Sequence, residues 1–310
     1  LVPIFFTVNT DGNNTEGIGS VCQHCILIYG IAKKYKVNCG LNNFSNISHW
    51  QQTGMTNQEF SSSYTNFFNF PKLPSDYQKL YFNFDDSLSD FVNNNVNSKT
   101  NYVIEFDRAE IRRFGFTLFD YFEQNKTFLE LKEKLNYNGP NLLDNNFFNV
   151  AIRVRRKNQI DLNLIKMWTN SDGEWYQDDF REMYQTDKEA HLFTNVTSNF
   201  ARYINLFDYL NNKFQKIPVN YHIFSEGNEE DFDNFKNLIA PKDKLDLHLN
   251  YHPIHDLWHS INCDFLVMAN SSFSWISGLM FFKTKMISRH FGQPNYSDTI
   301  YLEKDYTIAR

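Results

Sequence analysis

Phe147-Phe148-Asn149-Val150-Ala151-Ile152-Arg153-Val154-Arg155-Arg156 is the stretch that decides the fold. Its apolar run suits a strand buried on both faces of a parallel sheet. It ends in a cluster of three arginines. In open α/β sheets, ligands bind outside the C-terminal ends of the strands. A guanidinium grips phosphate through a rigid fork of N–H donors and keeps its charge near neutral pH. The segment therefore aims fixed positive charge at a crevice. The competing reading is a basic surface edge paired with nearby acids.

Working outward, strand-like and helix-like stretches alternate on both sides. Val2–Val8 reads as a first strand. A polar loop follows, and then a helix over Val21–Tyr35 with lysines in its last turn, which suits the helix dipole. Val37–Leu41, Leu80–Phe84 and Tyr102–Phe106 read as strands and Phe128–Leu135 as a helix, while Phe44–Tyr77 fits no simple pattern. The pattern breaks at Asn138-Gly139-Pro140, a plausible hinge. The expected domains are therefore 1–140 and 141–310, with the final segment free to pack back on the first. After strand 147–154 come a helix (Asn199–Phe214), a strand (Val219–Ser225), a helix (Asn228–Ile239) and a strand (Lys244–His248). Ile254–Cys263 then reads as helix, Asp264–Met268 as strand, Ser272–Phe282 as helix and Lys285–Ser288 as strand. This is repeated β-α-β, so the fold class is α/β with parallel sheet covered on both faces.

The 310 residues suffice for one large or two ordinary domains, and 42% hydrophobic with 17% aromatic residues supplies a real core. A net charge of −6 argues against bulk nucleic-acid binding but leaves room for a local basic pocket. No run of about 18 apolar residues predicts a membrane span. The chain reads as soluble, either cytoplasmic or the lumenal part of a trimmed secretory-pathway enzyme. Cys22 and Cys25 form a C-x-x-C without the second pair that a zinc knuckle needs, so they, Cys39 and Cys263 read as buried free thiols. Asp85-Asp86 and Asp231-Phe232-Asp233 resemble Asp-x-Asp metal motifs but fit helix-start charge better. His248, His252, His255 and His259 include helical spacings without a convergent Cys or Glu, so no metal is expected.

Three loops at strand-to-helix junctions can carry chemistry. In Glu16-Gly17-Ile18-Gly19-Ser20, glycines let backbone approach a ligand and the helix N-terminus offers free N–H groups to an anion. The alternative there is an ordinary tight turn. Ile223-Phe224-Ser225-Glu226-Gly227 ends a strand in a small polar residue and an acid, or is a simple capped turn. In the run from Asp264 to Trp275, a buried strand leads into Asn270-Ser271-Ser272-Phe273, whose hydroxyls and open amides make a phosphate-sized nest; plain N-capping is the alternative.

The order of these features resembles the donor-binding half of the fucosyltransferase superfamily (the α-1,2, α-1,6 and protein O-fucosyl enzymes). That family carries a His-x-Arg-Arg strand end, a Phe-Ser-Asp/Glu loop and a Ser-Ser-x-Ser-Trp segment; here the last reads Ser271-Ser272-Phe273-Ser274-Trp275. The resemblance covers about residues 147–290 and is fainter over 1–50. It implies GT-B: two Rossmann-like domains with a donor cleft between them. It also implies an inverting glycosyltransferase that needs no metal or other cofactor and acts on a nucleotide sugar and a glycan acceptor. Arg155 falls on the arginine that neutralises the leaving diphosphate, an electrostatic contribution to catalysis. Asp256 falls on the acid that accepts from the guanine edge, and Ser271, Ser272 and Phe273 fall on the phosphate and base loop. Gly17, Gly19, Arg153, Arg156, Arg202, Ser225, Glu226 and Asn270 complete the expected donor site.

Two departures bear on the donor. Arg153 stands where the family has His, and Asn158 where it has Asp. L-Fucose from GDP-fucose is the first expectation and xylose from UDP-xylose the second. A non-catalytic glycan- or nucleotide-binding relative is the rival of another class. Transfer also needs a base for the acceptor hydroxyl. Glu16 ranks first, ahead of Asp11, His49 and Asp161. Neither Gly-x4-Gly-Lys-Ser/Thr nor Gly-x-Gly-x-x-Gly occurs, which removes P-loop kinases and NAD dehydrogenases.

Overall fold

Strand β5 (Phe148–Arg153) lies inside a six-stranded sheet. The structure, a computed structural model, describes residues 2–9, 18–41, 55–154, 200–269, 271–288, 298–302 and 307–308. The chain divides into two units, Leu1–Gly139 and Pro140–Arg310.

In the second unit the strands are β5, β6 (Val219–Ser225), β7 (Lys244–Leu249), β8 (Phe265–Val267), β9 (Lys285–Ser288) and β10 (Thr299–Leu302). They run parallel in the order β10-β9-β8-β5-β6-β7. Starting from β5, the chain winds outward through β6 and β7, returns to β8 on the other side of β5, and winds outward again. The direction reverses between β5 and β8, which is where doubly wound sheets hold ligands.

Alternation of side chains along each strand gives this sheet two unlike faces. Val150, Ile152, Val219, Tyr221 and Ile223 point into an apolar core with Tyr203, Leu206, Phe207 and Leu210 of the helix Phe200–Lys213. The opposite face carries Asn149 and Arg153 of β5, Asn220, His222 and Phe224 of β6, and Asp246 and His248 of β7, aligned in register.

The first unit holds β1 (Ile4–Val8), β2 (Asn38–Cys39), β3 (Gln78–Tyr81) and β4 (Tyr102–Phe106), parallel and ordered β2-β1-β4-β3. Helix α1 (Ile18–Tyr35) is buried almost all round down to Ala32, as its apolar composition requires. Cys22, Cys25, Cys39 and Cys263 are buried free thiols. Helices α2 (Asn57–Phe68), α3 (Asp86–Asn95), α4 (Arg108–Thr117), α5 (Phe119–Gln124) and α6 (Thr127–Lys134) follow. The first three open on polar caps: Thr56 in a reciprocal box with Glu59, then Asp85, then Asp107. The helix Phe200–Lys213 is α7.

Four expectations change. Helix α1 begins at Ile18, so Gly19 lies in its first turn and is not a loop residue. The strand expected at Leu80–Phe84 is β3, and Phe84 leaves it to stack between Phe106 and Phe114. The helix expected over Asn228–Ile239 is a 3-10 turn (Glu229–Phe232) and the single turn α8 (Asp233–Lys236). Asp231 accepts from the backbone of Asn228 there, so this acid serves the helix start. Finally, α9 (Pro253–Asn262) and α10 (Ser272–Met280) each stop short of the expected end.

Candidate functional site

The C-terminal edges of β5 and β8 bring three of the expected residues together. Arg153 ends β5 on the polar face. Helix α9 lies against that face. Its start is set by His252, whose Nδ1 accepts from the Ile254 amide, and by Pro253 in the first turn, where its missing N–H costs nothing. Asp256 and Ser260, one turn apart, then face the same spot. Arg153 Nη1 donates to Ser260 Oγ at 3.0 Å, and its Nη2 lies 3.9 Å from Asp256 Oδ2. From the other side, Phe273 of α10 lies under the guanidinium, 4.3 Å from ring centroid to Cζ. Arginine, acid, hydroxyl and aromatic ring thus converge where the sheet reverses direction.

The electrostatics are those of a dry site. Burial pushes the Asp256 carboxyl above its ordinary range, with His255 and Arg153 pulling it partly back. Its Oδ1 has no hydrogen bond, and His255 Nδ1 is 3.5 Å away. An acceptor with no bond of its own is what an N–H-bearing ligand edge satisfies.

Beside this cluster lies an imidazole layer. Asn149 uses its amide N–H groups on the Asp144 and Phe147 carbonyls, so its oxygen accepts from His222 Nε2 at 2.9 Å. His222 Nδ1 must then accept from His248 Nε2 at 3.0 Å. His259 Nδ1 donates to the His255 carbonyl, and its Nε2 accepts from the Leu142 amide. Every ring in this scheme is neutral. Burial lowers His222 to about 4, His248 to about 3 and His259 to about 4. Phe224 stacks on His248, and Tyr251 on His255, both at 4.5 Å. Among the described residues no set of three His, Cys, Asp or Glu side chains could hold a metal ion.

The remaining expected residues are placed as follows. Ser271 caps α10: its oxygen accepts from the Ser274 amide at 3.1 Å, and its hydroxyl contacts Ser274 Oγ. What the loop still offers is the backbone amides of Ser272 and Phe273 in the first helical turn. Ser225 donates to the Val154 carbonyl and ties the ends of β5 and β6. Glu226 is exposed beside that tie. Gly19 is buried in α1. Arg202 lies on α7, its side chain outside the described residues. Arg155, Arg156, Glu16, Gly17, Asp11, His49, Asp161 and Asn270 also lie outside them.

Ser260, His255, His248 and His222 are absent from the expected site. Spacing along the chain was the only signal for His248 and His255. It is silent about the strand register that assembles them.

No protein-family profile and no curated protein matches this sequence. Solved structures similar to the chain include fucosyltransferases. A mutant of Arabidopsis thaliana FUT1 in complex with GDP is 12% identical over 91% of this chain and 69% of that one, with a TM-score of 0.38. POFUT1 in complex with GDP is 11% identical over 89% and 94%, with a TM-score of 0.43. The fucosyltransferase NodZ from Bradyrhizobium is 9% identical over 89% and 93%, with a TM-score of 0.38. No helix among the described residues is long and apolar enough to cross a membrane.

Proposed function

We propose that the chain is an inverting glycosyltransferase of GT-B type whose second unit binds a nucleoside diphosphate sugar at the β5/β8 edge. The observation that carries this reading is Arg153 on the face of Phe273, bonded to Ser260 and beside the Asp256 carboxylate, at the reversal point of the sheet. Asp256 Oδ1 accepts an N–H of the nucleobase. The amides of Ser272 and Phe273 and the fixed charges of Arg155 and Arg156 hold the diphosphate, with no metal required. An acceptor glycan hydroxyl attacks the anomeric carbon opposite the diphosphate and loses its proton to a base, Glu16 first among Asp11, His49 and Asp161. Arg155 stabilises the charge that grows on the departing diphosphate.

The first donor is GDP-fucose. UDP-xylose is a second reading, favoured by Arg153 itself, which occupies the position of the base-holding His in the resembled family. A lactam N–H beside a carbonyl satisfies Asp256 and Arg153 together, and both guanine and uracil present that edge.

A thermal-shift panel with GDP, UDP, GDP-fucose and UDP-xylose tests the reading. A ligand at about 100 times its dissociation constant stabilises by about 2.7 kcal/mol. No shift with any of the four sinks it. Donor turnover that survives Arg155→Ala removes the catalytic role of that residue.

A further inference from the structure

The first unit carries a second polar cluster that the proposed donor site does not use. In an open parallel sheet ligands bind outside the C-terminal ends of the strands, and β1 and β4 are the two central strands of the sheet in this unit. Thr7 and Glu105 are the penultimate residues of β1 and β4 and are paired in register, and Tyr81, the last residue of β3, pairs with Glu105 on its other side. The three side chains form one row across three strands. They point away from the face where Phe6 meets Tyr35 of α1. Lys79, two residues before Tyr81 on the same face, reaches Glu105 Oε2 at 2.9 Å and lies 5.3 Å from the Tyr81 ring centroid.

Two features set this row apart from an ordinary ion pair. Thr7 Oγ1 and Glu105 Oε1 are buried and have no hydrogen-bond partner, although Thr7 is 0% exposed and Glu105 4%. A sheet seldom keeps two such oxygens side by side unpaired. The row also deepens in one direction: Tyr81 is 66% exposed at the outer strand, the Lys79 side chain 34%, and Glu105 and Thr7 lie inside. Hydrogen bonding to Glu105, and then to Tyr81, raises the Lys79 pKa and keeps its ammonium charged. Lys79 thus engages the other carboxylate oxygen of Glu105 and leaves Oε1 without a partner.

We propose that Tyr81, Lys79, Glu105 and Thr7 form a carbohydrate-binding subsite. The chemistry matches a sugar ring. An exposed aromatic face takes the C–H side of a pyranose. The carboxylate oxygen accepts a hydroxyl proton, the ammonium donates to a neighbouring hydroxyl, and Thr7 does either. A phosphate ligand is disfavoured by Glu105, and an apolar ligand leaves both buried oxygens unpaired. This subsite goes beyond the donor reading and does not depend on it, since every residue in it belongs to the first unit.

The test is saturation-transfer difference NMR on the full chain. The probes are the methyl glycosides of L-fucose, D-xylose, D-galactose, D-glucose and D-mannose, each measured alone. At least one gives a signal, strongest on its ring C–H protons, and affinity falls about tenfold or more in Glu105→Gln, as expected when a hydrogen bond to a charged group is lost. Tyr81→Ala, at an exposed position that does not threaten folding, weakens the same signal and serves alone if Glu105→Gln is unfolded. No signal with any glycoside overturns the proposal, as does an unchanged signal in Tyr81→Ala. Thermal shift with GDP and UDP on the same samples separates the two readings. A glycoside signal without a nucleotide shift sinks the donor site and keeps this one; the converse does the reverse.

Discussion

The Arg153 guanidinium rests on the ring of Phe273, 4.3 Å from its centroid, and through that contact the end of β5 is joined to the start of α10 across the reversal point of the sheet. The same guanidinium faces Asp256, so one side chain both packs and neutralises. A cation on an aromatic face gains about 0.5–2 kcal/mol, more where water is excluded.

Arg153→Met keeps the stem over Phe273 and removes the charge. The Ser260 hydroxyl and the Asp256 carboxylate then lose their cation inside the protein. The expected loss is about 1–3 kcal/mol of unfolding free energy, the usual cost of leaving buried polar groups unsatisfied. Asp256→Asn removes the charge that needs the arginine, so the double variant is less damaged than the sum of the single ones. Urea melts of all four proteins measure the coupling, expected at about 0.5–3 kcal/mol. Additive losses would mean that the two groups do not sense each other.

The imidazole layer sets an acid limit on stability. His222, His248 and His259 have folded pKa values of about 4, 3 and 4, all lowered first by burial. In the unfolded chain a histidine titrates near ~6.5. Below that pH the unfolded state binds protons that the folded state refuses, so the stability these groups contribute is present above ~6.5 and is lost as pH falls toward about 4. Each unit of separation is worth about 1.4 kcal/mol. Asp256 acts oppositely: burial raises its pKa, so the contribution of this group to stability falls as pH rises. The urea midpoint should therefore drop steeply between about pH 6.5 and about pH 4, the range between the unfolded and folded values, and His248→Asn should flatten the drop. A midpoint constant over that range would contradict the neutral hydrogen-bond chain.

Gly30 marks a close approach of helices in the first unit. A Cβ there would sit 2.8 Å from Cε1 and 2.9 Å from Cζ of Phe122, a ring with 0% exposure on α5. That ring has nowhere to turn, so Gly30→Ala forces α1 and α5 apart. Overpacking of this kind costs about 1–3 kcal/mol, which outweighs the helix propensity gained by removing glycine, about 1 kcal/mol. Thermal melts should show a lower midpoint; a rise would mean that the helices separate at no cost.

The sequence states the second unit more clearly than the first for a physical reason. β5 and β6 are doubly buried strands, and an apolar run bounded by polar turns has few other readings. The 57–124 region mixes Phe and Tyr with Asn and Ser, so its helices lack a clean apolar stripe; their signals are the caps at Thr56, Asp85 and Asp107, which are easily read as loop residues. In the candidate site, the approach of Arg153, Asp256 and Phe273 follows from the strand order, which their positions along the chain hint at. The His222–His248 bond cannot be read that way. It depends on the register of β6 against β7, and a slip of one residue would put the two rings on opposite faces of the sheet.

Ser271 supplies the remaining prediction, because its hydroxyl has two candidate employments that leave different traces. Its Oγ accepts from the Ser274 amide at 3.1 Å and contacts the Ser274 hydroxyl, and that hydroxyl in turn accepts from the Ala269 amide at 3.3 Å. The side chain is thus engaged by its own helix, and the Ser272 and Phe273 amides are the groups left to face an anion. Ser271→Ala should cost about 0.5–2 kcal/mol of stability, the usual loss of an N-cap. Ser271→Asp should recover most of it through the same bond and the helix dipole. Nucleotide affinity of the alanine variant, measured well below its melting point, should stay within about threefold of the parent, since in the proposed site the Ser272 and Phe273 amides and not the Ser271 hydroxyl meet the phosphate. The aspartate should lose far more, because its charge repels the ligand. An alanine variant with intact stability and a tenfold or greater loss of affinity, about 1.4 kcal/mol, would reverse the assignment and put the hydroxyl itself on the phosphate.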